Sequence, residues 1–98
     1  MDLYEQYLID NPQPVGQTND RREKNRKNRL RKAVNRAKIL QEESIDGLSK
    51  DQAKQRLEER AEEQVAGMSG IGYFVLKAVL AWLIGKLLEA KFGNNEEN

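Results

Sequence analysis

A chain of 98 residues with 34% charged and 38% hydrophobic side chains has room for one small domain at most. It contains no Cys and no His, which excludes a disulfide framework, thiolate chemistry and the commonest general base and metal ligand. The net charge of +1 conceals an asymmetry: residues 1–38 hold ten basic and five acidic side chains, residues 39–66 hold four and eight, and residues 67–98 hold three and three. Blocks of this kind assign different partners to different segments.

Residues 1–19 read as an extended arm. Met1-Asp-Leu-Tyr-Glu-Gln-Tyr is acidic and has no apolar run, so no signal peptide is expected. Leu3, Tyr4, Tyr7, Leu8 and Ile9 can form one amphipathic turn, and Pro12 and Pro14 stop a helix from continuing. Two readings stand: a flexible tail, or an arm that docks its aromatics on a neighbouring subunit.

Residues 20–43 read as a basic helix. Asp20 followed by Glu23 has the spacing of a capping box. Leu30, Ala33, Val34, Ala37 and Leu40 make one apolar stripe. Around it stand Arg21, Arg22, Lys24, Arg26, Lys27, Arg29, Arg31, Lys32, Arg36 and Lys38, interleaved with Asn25, Asn28 and Asn35. Cations on a rigid support release counterions when they meet phosphates, and Asn side chains add hydrogen bonds. Nucleic acid or another polyanion is therefore one expected partner. An intramolecular or intersubunit match to the acidic segment and a surface of anionic lipid headgroups are the alternatives.

Residues 44–49 form a turn, with Gly47 suited to a positive φ. Residues 50–66 read as an acidic helix, started by a Ser49/Gln52 capping box and carrying Ala53, Leu57, Ala61 and Val65 on one weak stripe. Glu58, Glu59, Glu62 and Glu63 flank Arg56 and Arg60 with the spacing of a solvated face. Residues 67–72 read as a Gly hinge, residues 73–92 as a hydrophobic helix, and residues 93–98 as a polar tail after a Gly C-cap.

The apolar stretch Met68–Phe92 holds most of the large apolar side chains. Met68 to Leu88 spans about 31 Å as a helix, the thickness of a bilayer's hydrocarbon core. Its Leu, Ile, Val and Phe residues contribute roughly −3 to −6 kcal/mol on the insertion scale, and Lys77 opposes them with about +2.5 to +3.5 kcal/mol. At 100° per residue Gly70, Lys77, Ala81 and Gly85 share one sector, whereas Val75, Leu76, Val79, Leu80, Leu83 and Leu87 lie opposite. The expectation is a helix that shows its large side to lipid and packs its small face, with Lys77, on a copy of itself or another protein. Burial in the core of a soluble oligomer is the alternative. Tyr73 and Trp82 suit membrane-interface positions, and Lys86 a snorkelling one.

Arg21-Arg-Glu-Lys-Asn-Arg-Lys-Asn-Arg-Leu-Arg-Lys resembles both leucine-zipper basic regions and short arginine-rich RNA-binding peptides. Leu40 is followed at heptad spacing by Gly47 and Lys54, which departs from a zipper. The whole layout resembles the small membrane-associated structural proteins of lipid-containing icosahedral phages. That resemblance implies a virion location, one helix in the viral membrane, and polar segments meeting capsid subunits or genome. The layout is also similar to small phage lysis proteins, which implies a membrane-permeabilising activity.

No nucleophile–base pair, phosphate loop or His/Cys cluster is present, so neither catalysis nor a metal or other cofactor is expected. The sequence thus predicts an all-α, non-globular chain of basic, acidic and C-terminal hydrophobic helices, with a single membrane span. Its expected role is a homo-oligomeric structural or assembly protein, membrane-associated and contacting nucleic acid. A soluble oligomeric nucleic-acid-binding regulator is the second expectation.

Overall fold

The computed structural model describes residues 1–13 and 20–93, and these described residues are 80% helical with no strand among them. Helix α1 is Leu3–Asp10, α2 is Asp20–Ala37, α3 is Lys50–Val65 and α4 is Gly70–Phe92. A 3₁₀ turn, Lys38–Glu42, carries the chain on from α2. The basic, acidic and hydrophobic helices are all present. The side chain of Asp20, the rest of the arm at residues 14–19 and the tail at residues 94–98 lie outside the described residues.

Local chemistry explains the boundaries. Ser49 Oγ accepts from the Gln52 N–H at 3.2 Å, and Gln52 Oε1 accepts from the Ser49 N–H at 3.1 Å, so α3 opens on a closed capping box. Gly47 takes φ +82° in the preceding turn, a conformation that a Cβ disfavours. Gly93 at φ +75° ends α4, its N–H donating to the Glu89 carbonyl at 2.7 Å. Helix α4 begins at Gly70, inside the stretch expected as a Gly hinge, and the connection shrinks to residues 66–69.

The N-terminal segment is a correction. It is not an extended arm over its described part but a helix, because Asp2 and Glu5 form the same reciprocal cap seen at Ser49. Asp2 Oδ1 accepts from the Glu5 N–H at 2.8 Å, and Glu5 Oε1 accepts from the Asp2 N–H at 3.1 Å. Nor does it need a neighbouring subunit for its aromatics. Tyr7 meets Trp82 of α4 edge-to-face at 5.1 Å, and Arg31 of α2 stacks over the Tyr4 ring at 4.5 Å. Asp10 closes the clasp, accepting from Trp82 Nε1 at 2.9 Å and from Lys86 Nζ at 2.8 Å. Trp82 and Lys86 thus have partners within the chain.

Helix α4 lies at the centre, packed mainly against α2 and α3. Its Leu76, Val79, Leu80 and Leu83 are buried, and so are Leu30, Val34, Ala37 and Leu40 of the α2 stripe and Ala53 and Leu57 of α3. No single helix has enough apolar surface for a core, but α2, α3 and α4 pool theirs into one cluster. Each Leu or Val so covered contributes about 1.5–3 kcal/mol. The expected all-α layout of basic, acidic and hydrophobic helices is present, and the three share this one cluster. The body is nonetheless elongated, 48 × 29 × 20 Å. Its radius of gyration of 14.8 Å exceeds the roughly 13 Å of a compact domain of this length.

Two outcomes follow from this packing. Leu57, with none of its surface exposed, tests the shared core: Leu57→Ala should lower stability by about 2–5 kcal/mol, read as an earlier midpoint in urea unfolding followed by circular dichroism. The clasp should depend on pH. Hydrogen bonds from Lys86 and Trp82 hold the Asp10 carboxyl below its ordinary value. A carboxylate with a depressed folded-state pKa stabilises above its unfolded-state pKa, and that contribution fades as the pH falls through the folded value. Trp82 fluorescence should be steady near neutrality and shift as the pH drops below about 4, and Asp10→Asn should remove that transition.

Candidate polyanion-binding face

Helix α2 is pinned from two directions. Its stripe Leu30–Ala33–Val34–Ala37 is buried on the core, and α1 runs along an adjacent side, where Tyr4 and Leu8 approach Arg26, Lys27 and Leu30. The remaining arc faces outward. Arg21, Arg22, Lys24, Lys27, Arg29, Arg31, Lys32, Arg36 and Lys38 are all exposed, and Arg26 is half-buried beside Glu23 at 3.9 Å. On the side away from α1, Arg21, Asn25, Arg29, Lys32 and Arg36 follow one another at spacings of three and four, so one line of side chains runs along the helix. Fifteen steps of 1.5 Å make that line about 22 Å long.

The acidic helix does not cover this line. Helices α2 and α3 each lie against α4 and touch one another far less. None of the ion pairs among the described residues joins them: these are Arg26–Glu23, Arg60–Glu43, Arg60–Glu63, Lys86–Asp10 and Lys91–Asp46. Arg60 holds Glu63 at 2.6 Å and Glu43 at 3.7 Å, which keeps part of the acidic charge within α3 and the preceding turn. The intramolecular match of basic to acidic helix, one of the readings of the sequence, forms no ion pair between α2 and α3 among the described residues. The cations are thus presented on a helix held rigid by its apolar stripe, and the Debye length of about 8 Å at physiological salt limits how far α3 can offset them.

The residues expected to pack α4 on a neighbour lie outside the core of the single chain. Gly70, Lys77, Ala81 and Gly85 are all exposed. A Cβ built at Gly85 meets nothing within 4 Å, so no part of this chain makes use of its small size. The large side expected to face lipid, Leu76, Val79, Leu80 and Leu83, is instead inside the core. The reversal has a simple cause: α2 and α3 each offer an apolar stripe, and the large face of α4 gains more from covering them than the small face would. Lys77 donates to the Tyr73 hydroxyl at 3.0 Å. Among the described residues α4 remains the one helix long and apolar enough to cross a membrane. The described residues contain no group of three or more His, Cys, Asp or Glu able to hold a metal ion.

Sequence reasoning missed the Asp10–Trp82–Lys86 cluster, although Asp2/Glu5 carries the same capping signature that marked Ser49/Gln52. Comparison with protein-family models, curated proteins and solved structures found no match, and what this face does has to be read from its own residues.

Proposed function

We propose that this is a small non-enzymatic assembly or regulatory protein that binds nucleic acid through the outer face of α2. The observation that carries the reading is the line Arg21–Asn25–Arg29–Lys32–Arg36, exposed along its length and not ion-paired to the acidic helix. Phosphate contacts from such a line are sequence-independent and driven by counterion release. The core supplies rigidity: α4 holds α2 straight, and α1 fixes its other side. Attraction at contour distances of about 22 Å suits several consecutive phosphates of a duplex or a folded single strand.

Membrane anchoring by α4, with a place in a virion, is the second reading, favoured by the helix's 23 apolar-rich residues and by exposed Ile71 and Phe74 at its start. It requires α4 to leave the core. That would strip Leu30, Val34, Leu40 and Leu57 of their cover, at about 1.5–3 kcal/mol each, and would break the Asp10 clasp. The packed form therefore supports the soluble nucleic-acid-binding reading over the anchored one.

Binding to mixed-sequence DNA or RNA should be measurable at low salt, with log K falling linearly in log salt. The triple variant Arg29→Gln, Lys32→Gln, Arg36→Gln keeps good helix formers at exposed positions. It should flatten that slope by about 2–3 with helicity unchanged. Absence of binding at low salt would sink the proposal. Membrane flotation distinguishes the second reading, because co-migration of the full chain with vesicles after a carbonate wash would favour the anchor.

A further inference from the structure

The open face of α3 and α4 is laid out with a symmetry that the core does not require. On α4 the exposed side reads Phe74, Lys77, Ala78, Ala81, Gly85, Glu89 and Phe92, with Phe92 half-buried and the others open. Counted outward from the point midway between Ala81 and Gly85, Lys77 stands opposite Glu89 and Phe74 opposite Phe92. On α3 the i,i+4 row reads Lys50, Lys54, Glu58, Glu62, two cations followed by two anions. Outward from its own midpoint, Lys54 stands opposite Glu58 and Lys50 opposite Glu62. Each row becomes its own charge complement when reversed. None of these side chains takes part in the ion pairs made within the chain among the described residues.

The two midpoints lie at the same height. Between α3 and α4 runs an open groove of about 730 Å³, floored by Leu80, Ala81, Ile84 and Gly85. Its walls extend from Lys50 to Val65 on α3 and from Lys77 to Leu88 on α4, so both midpoints fall near its centre. The helices run antiparallel across a short connection, and one two-fold axis through that centre serves both rows.

The geometry points to a second copy of this chain as the occupant of the groove, in a two-fold dimer that stacks α3 on α3 and α4 on α4, each pair antiparallel. Every neighbour in the resulting four-helix layer is then antiparallel, as in an up-down bundle. Lys77 reaches Glu89 of the second copy, Lys54 reaches its Glu58, and Lys50 reaches its Glu62; the symmetry makes each pair twice, as an isologous interface demands. Phe74, 68% exposed in the single chain, meets Phe92 of the other copy. Ala81 and Gly85 stand where the two α4 helices cross, and the lack of side chain there permits close approach. The shared length of about 24 Å and the width of two helices, about 20 Å, give roughly 1,000 Å² in total over both copies, at the lower bound for a specific interface. The dimer is therefore concentration-dependent. It also places two α2 helices on one particle, outside the interface.

Sedimentation equilibrium of the full chain in detergent-free buffer, over a wide concentration range, tests this. A monomer–dimer equilibrium is expected. Gly85→Leu should abolish it while leaving helicity and low-concentration melting unchanged, because nothing in the single chain lies near that Cβ position. Lys77→Glu alone should weaken the dimer at least tenfold, and the swap of Lys77→Glu with Glu89→Lys should restore it. A monomer at every concentration, an oligomer indifferent to Gly85→Leu, a swap that fails to rescue, or a chain that stays in solution only with detergent would each overturn the inference.

Discussion

The structure depends on the covering of one apolar helix. Helix α4 is 23 residues long, and its large side chains are more than any other segment of this chain could hide alone. Water excludes that surface at about 25 cal/mol per Å², so the rest of the chain is arranged as its cover. The stripes of α2 and α3 supply Leu, Val and Ala at helical spacing, and α1 adds Tyr7 across Trp82. The polar closures sit at the rim of that cover, with Asp10 on Trp82 and Lys86 and Asp46 on Lys91.

Charge is distributed by the same constraint. A helix that buries a narrow stripe must turn the rest of its circumference to water. On α2 that circumference is cationic, and on α3 it is mixed, with five acidic and four basic side chains. Because both stripes seek α4 and not each other, the two charged surfaces end up apart. The separation leaves the cationic side of α2 facing solvent. It leaves α3 with a row whose lysines and glutamates are ordered along the helix instead of cancelling against α2. Core packing and surface electrostatics are thus two results of one choice of packing partner.

Much of this was legible in the residues. The basic, acidic and hydrophobic helices follow from apolar spacing, and the start of α3 from Ser49 and Gln52. The turn at Gly47 and the end of α4 at Gly93 follow from the tolerance of Gly for positive φ. Helix α1 was legible too, since Asp2 and Glu5 carry a capping box, but the two prolines that follow made the whole segment read as an arm. The distant contacts were not legible. Nothing local to Asp10 indicates that it will meet Trp82 and Lys86, because that meeting depends on where α1 falls along α4.

The sequence by itself determined the helices, their charge and the presence of one segment unable to face water. It also determined the division of α4 into a large and a small side, since both follow from side-chain type and a 3.6-residue period. Which side would be covered was decided only by the tertiary structure. In isolation the large side suits lipid and the small side a protein neighbour. Once the α2 and α3 stripes are within reach, the large side takes them, because apolar area is the dominant gain on burial. Ala81 and Gly85 are then left facing outward.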